Sequence, residues 1–170
     1  MDGENSQCRR IRAPSYNGQH RTLVRSGSLS LSNQFTEVVM GKYGVAAIAA
    51  VRAYTEGKAA TVEDAWAVAV QEIFPNSPSS QAKSCPRGTF LGICESGKII
   101  GIPSGEYTRS QKNKIYGLKA LELLHATPSL ADDEATLWKL VLAGQSKAPN
   151  HQMEVTSSLW KAGLVNRIVG

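Results

Sequence analysis

From residue 41 onward apolar positions recur every three or four residues, in runs closed by glycine or proline. No stretch shows the strict alternation or hairpin turns of a sheet. The pattern predicts helices. Gly41 to Glu56 is apolar on nearly every face through Val45, Ala46, Ala47, Ile48, Ala49, Ala50 and Val51, which places it at the centre of a bundle, with Gly57 closing it. Thr61 offers an N-cap to a helix from Val62 to Phe74, with Glu63 and Asp64 in the first turn and Trp66, Val70 and Ile73 facing inward. Pro75 to Ser80 reads as a turn. The next helix spans Ser84 to Ser96, with Pro86 in its first turn and Gly97 as its left-handed cap.

Gly101-Ile102-Pro103-Ser104-Gly105 then interrupts the pattern as a connector. Thr108 and Gln111 stand at capping-box spacing, so a helix should open there and run to about His125. Its core face would be Ile115, Leu118, Leu121 and Leu124, and Lys112, Lys114, Lys119 and Glu122 would meet solvent. Thr127-Pro128 stops it, and Asp132-Asp133-Glu134 opens a helix holding Leu137, Trp138, Leu140 and Val141 that ends at Gly144. A last helix runs from near Asn150 to Gly163 with Met153, Leu159 and Trp160. The expected fold is all-α, a compact bundle of about six helices. The short apolar runs Lys98 to Ile102 and Leu164 to Val169 offer a minor β-bridge.

The chain also echoes itself. Tyr43-Gly44, Ala47 and Trp66 are matched by Tyr116-Gly117, Ala120 and Trp138, with tyrosine-to-tryptophan separations of 23 and 22 residues, and Gly97 is matched by Gly163. This spacing predicts two copies of a three-helix unit, about residues 41–102 and 110–168, within a single helical domain from residue 40 to 170.

Residues 1–39 differ. They carry five arginines and a Ser-rich run from Ser26 to Ser32, with too little apolar content to offset ordering entropy. They read as a disordered basic tail, as a transit peptide weakened by Asp2 and Glu4, or as sequence upstream of a start at Met40; the sequence leaves all three open. The three cysteines cannot all pair with one another, which fits a reducing, cytoplasmic setting. No apolar run is long enough to span a membrane. A net charge of +5 tilts the expected partner toward nucleic acid or another phosphate-bearing ligand.

Four stretches, Lys42-Tyr43-Gly44, Cys85 to Cys94, Gly101 to Ser110 and Asn150-His151-Gln152-Met153, resemble those of a bacterial domain family of unknown function. The resemblance covers roughly residues 41–165. It implies a compact, mainly helical bacterial domain beginning near Met40, and no activity.

The sharpest local chemistry lies in the connector. A glycine-containing loop that leads into a helix N-terminus presents free amides and the positive end of a dipole. Here Gly105 would donate its amide to a phosphate, Arg109, Lys112 and Lys114 would neutralise it, and Tyr107 would stack on a base or sugar. The bland alternative is a linker with solvated lysines. Helix-turn-helix readout is a further reading, with Arg87, Asn150 and Gln152 as base-reading residues, although Asn150 serves equally as an N-cap. A protein-interaction module with an apolar groove between the two units is the alternative function, and an enzyme acting on a nucleotide or nucleic acid is the third. No catalytic residue, metal ligand or cofactor is assigned. Cys85 and Cys94 read as structural, the three tryptophans as core, and His125 as a surface residue at a helix end.

Overall fold

A computed structural model describes residues 40–166, so the expectations for residues 1–39 lie outside the described residues. Six longer helices form: α1 (Lys42–Thr55), α2 (Val62–Ile73), α4 (Ser84–Glu95), α5 (Gln111–Ala126), α6 (Glu134–Leu142) and α7 (Gln152–Lys161). A four-residue turn of helix, α3 (Pro78–Gln81), lies where the sequence suggested only a turn, and a 3-10 segment (Pro128–Asp132) precedes α6. Thr61 forms its expected N-cap by accepting from the Asp64 amide, and within the acidic run expected to open a helix it is Asp133 that caps, accepting from the Thr136 amide, each at 3.0 Å.

The centre of the bundle is α7, not α1. Its residues from Gln152 to Trp160 are buried except for Glu154, and it packs against α1, α4, α5 and α6. Hydroxyl residues suit this place because they are small and can bond back to their own helix, as Thr156 Oγ1 does to the Gln152 carbonyl at 3.0 Å. The sequence expectation for α1 followed its apolar content, yet among the described helices α1 packs mainly on α2 and α7, and Val45 is 43% exposed.

A second correction concerns α5. Ile115, expected in the core, is 58% exposed, and the inward stripe is Asn113, Gly117, Ala120, Leu121 and Leu124. Close approach selects that stripe. A Cβ on Gly117 would stand 2.9 Å from Ile93, and one on Gly92 would stand 2.6 Å from the Lys114 Cα, so α4 and α5 meet through their glycines. His125 is half-buried, edge-on to the Trp160 ring with centroids 4.8 Å apart, and so is not a plain surface residue.

The halves do not pack as two separate units, because α1 lies on α7 and α4 lies on α5. Between them a single antiparallel residue pair joins Ile99 to Val165, with the Ile100 amide donating to the Leu164 carbonyl and the Asn166 amide to the Lys98 carbonyl, both at 2.9 Å. There is no strand among the described residues. Trp66, Trp138 and Trp160 are all buried, and so is Cys94, whose thiol is pushed up by burial.

Candidate functional site

The connector folds around the end of α4, and its anchor is Glu95. Oε2 of this residue accepts the amides of Tyr107 at 2.8 Å and Thr108 at 3.0 Å, and Oε1 pairs with Lys114 Nζ at 2.5 Å. The Glu95 carbonyl takes the Gly105 amide at 3.2 Å. The Lys114 bond and then the two amides hold the Glu95 carboxyl down at about 2. The connector's Tyr107 and Thr108 amides and Lys114 are thus directed at the chain's own carboxylate.

Two expectations change accordingly. Gly105 directs its amide to Glu95, and its missing side chain leaves room for the Tyr107 ring, which a Cβ would meet at 2.8 Å. Lys114 is an ion-pair partner with its side chain 24% exposed. The capping box does not form either: α5 starts at Gln111, and the Thr108 hydroxyl instead accepts the Ser110 amide at 3.1 Å.

Beside this anchor is a cleft of about 550 Å³ lined by Arg87, Arg109, Tyr107, Glu63, Glu95 and Glu106, among others. It brings together Arg87 from α4 with Arg109 and Tyr107 from the connector. The sequence had assigned these to two different readings. Both arginines are exposed, and neither makes an ion pair among the described residues. Tyr107 is half-buried, with its hydroxyl donating to the Pro103 carbonyl at 2.9 Å. Lys112 is exposed on the first turn of α5.

The remaining base-reading residues are placed elsewhere. Gln152 is fully buried, with Oε1 accepting the Asn150 amide at 2.7 Å and Nε2 directed at Asn113 Oδ1 at 3.4 Å, so it offers nothing to a base edge. Asn150 is half-buried and is not the N-cap of α7, which is His151.

One cluster escaped the sequence reading. His151 Nδ1 lies 2.7 Å from Glu154 Oε2, and its Nε2 lies 3.1 Å from Lys83 Nζ. Glu154 Oε1 also accepts the amides of Tyr43 at 2.6 Å and Gly44 at 3.3 Å, which caps α1 from α7. His151 has a left-handed backbone, φ 64°, uncommon for a residue with a side chain, and its ring packs on Tyr43 with centroids 4.6 Å apart. In the tautomer whose Nδ1–H donates to Glu154, Nε2 accepts from the lysine, so one imidazole ties the α3–α4 junction to α7 and, through Glu154, to α1. The spacing of His151 and Glu154 was readable; Lys83, 68 residues away in sequence, was not.

No helix among the described residues is long and apolar enough to cross a membrane, and no group of three or more His, Cys, Asp or Glu among them could hold a metal ion. The fold and its clefts define an all-α helical-bundle domain. The chain belongs to the family of unknown function DUF6979, which matches residues 40–166. No curated protein and no solved structure matches it.

Proposed function

We propose that this domain binds a phosphate-bearing partner, nucleic acid before other ligands, through Arg87 and Arg109 in the connector cleft. The observation that carries the reading is that two arginines from separate elements line one cleft and make no ion pair among the described residues, although three glutamates line it too. Glu95 is already neutralised by Lys114 and two amides, which leaves the guanidinium groups to an external anion. Glu63 and Glu106 weigh against the dense charge of a duplex and favour a single strand, whose bases can reach Tyr107. Lys112 adds charge at the rim. A reducing, cytoplasmic setting belongs to the same reading, supported by the unpaired Cys85 and Cys94.

Fluorescence anisotropy of the full chain against labelled single-stranded RNA, single-stranded DNA, duplex DNA and a mononucleotide tests this. Binding to a single strand that weakens about tenfold or more in Arg87→Gln/Arg109→Gln supports it, given about 1.5–3 kcal/mol for a hydrogen bond to a charged group. Absence of binding to all four, or binding indifferent to the double substitution, overturns it.

We further infer that the two halves are copies of one unit. Ile99 and Val165, each two residues beyond a matched left-handed glycine, Gly97 and Gly163, pair with each other, and exchanging the halves exchanges their two hydrogen bonds. The α1 glycine, Gly44, packs on α7, and its counterpart on α5, Gly117, packs on α4. Superposition of experimental coordinates should lay Tyr43 on Tyr116 and Trp66 on Trp138; a different alignment of the helices would contradict the inference.

A further inference from the structure

We propose that Glu63 makes the connector cleft selective for guanine, by accepting hydrogen bonds from the base edge of a nucleotide whose phosphate lies on Arg87 and Arg109. The inference rests on the phosphate reading of the same cleft and adds which base it takes. Glu63, Arg87 and Arg109 line the cleft from three separate elements, α2, α4 and the connector. Glu63 is half-buried, yet it closes no ion pair among the described residues, although both arginines share its cleft. Thr61 caps the first turn of α2 through the Asp64 amide, so that role does not fall to Glu63.

A cleft that holds two guanidinium groups apart from a carboxylate suits a ligand with an anion at one end and hydrogen-bond donors at the other. A nucleotide is such a ligand. The volume of about 550 Å³ lies within the range that encloses one small molecule, so the cleft takes one nucleotide of a strand. Tyr107 decides which part of that nucleotide meets Glu63. Its ring is seated against Gly105, and its hydroxyl is anchored on the Pro103 carbonyl. Burial first, and then the charges of Tyr54, Cys94 and Glu63, push this hydroxyl up from its ordinary value, which puts the Glu63 carboxylate within electrostatic reach of the ring. A base stacked on Tyr107 therefore has its edge in the field of Glu63, while its phosphate reaches the arginines.

The chemistry of the edge then selects the base. An ionised carboxylate only accepts, and its two oxygens match two adjacent donors. Guanine carries such a pair in N1–H and its N2 amino group. Adenine and cytosine set an amino group beside an acceptor nitrogen, and uracil sets one N–H between two carbonyls, so each of these turns at least one acceptor against the carboxylate. Glu106 lines the same cleft but is exposed on the connector, where neither burial nor a helix holds its carboxylate in place. It supplies the control for charge alone.

The test is fluorescence anisotropy of the full chain with labelled RNA strands of about eight nucleotides, uridine throughout or with one central guanine, adenine or cytosine. The guanine strand should bind about tenfold more tightly than the other three. Glu63→Gln should cut that preference to about threefold or less, while affinity for the all-uridine strand stays level or rises, because a negative charge has left the neighbourhood of the phosphate. Glu106→Gln removes the same charge and should keep the preference. Thermal melts confirm that both variants fold. Equal affinities for the four strands overturn the proposal and leave the phosphate reading in place. Preference for another base overturns it too, as does a guanine preference that survives Glu63→Gln or is lost equally in Glu106→Gln. No binding to any strand is the failure of the phosphate reading itself, and this proposal falls with it.

Discussion

Replacing Glu95 by glutamine should loosen the connector and shift the stability of the whole domain in a pH-dependent way. The substitution keeps the volume and one acceptor oxygen, but it removes the charge that holds Lys114 and leaves one face of the amide as a donor facing other donors. Glu95 bonds two backbone amides and one ammonium, and its side chain is only 10% exposed. Bonds to a charged group contribute about 1.5–3 kcal/mol each, so losing the charge while keeping one acceptor should cost about 2–3 kcal/mol. For a domain of this size that is a fall of about 8–12 °C in thermal midpoint. The folded carboxyl, held at about 2, lies below its ordinary 4.5, so its contribution is complete above about pH 5 and is lost as pH falls from 4.5 toward 2. Circular-dichroism melts of both proteins between pH 2 and 7 should therefore show a wide gap at neutral pH that closes in acid. Midpoints within about 2 °C at pH 7, less than 1 kcal/mol can account for, would refute the reasoning, as would a gap that persists unchanged at pH 2.

Other outcomes follow from the same contacts. Glu154→Ala uncaps α1 by removing the acceptor of the Tyr43 and Gly44 amides, and urea unfolding should register a loss of about 1–2 kcal/mol; a change below about 0.5 would contradict the capping role. Gly92→Ala sets a methyl group against the Lys114 Cα and forces α4 from α5, with an expected loss of about 1–3 kcal/mol in the same assay, whereas an unchanged midpoint would mean the helices can part freely. A chain beginning at Met40 should melt within about 2 °C of the full chain; a larger fall would show that Leu29, Leu31 or Phe35 contributes to the core.

Helices and their ends were legible in the sequence because they depend on local chemistry. Thr61 and Asp133 cap by reaching three residues ahead, and Gly97 and Gly163 close helices by adopting positive φ. What lies inside was harder to read, since burial follows close approach as well as hydrophobicity. Ile115 lost the inward face of α5 to Gly117 and Ala120, and the hydroxyl-rich α7 took the central place that composition had given to α1. The connector's glycines, amides and basic residues were visible in its sequence. That Glu95 would engage them was not, because nothing local says that a carboxylate at the end of α4 turns back over residues 105–108. The meeting of Arg87 with Arg109, and of Lys83 with His151, likewise depends on the tertiary fold.

The salt dependence of single-strand binding tests the central claim most directly. Each phosphate contact to a single strand contributes about 0.7 to the slope of log affinity against log salt. The full chain should show a slope near −1.4 or steeper, and Arg87→Gln/Arg109→Gln should flatten it by about 1.4. An affinity indifferent to salt, or a slope that the double substitution leaves unchanged, would contradict phosphate binding in this cleft.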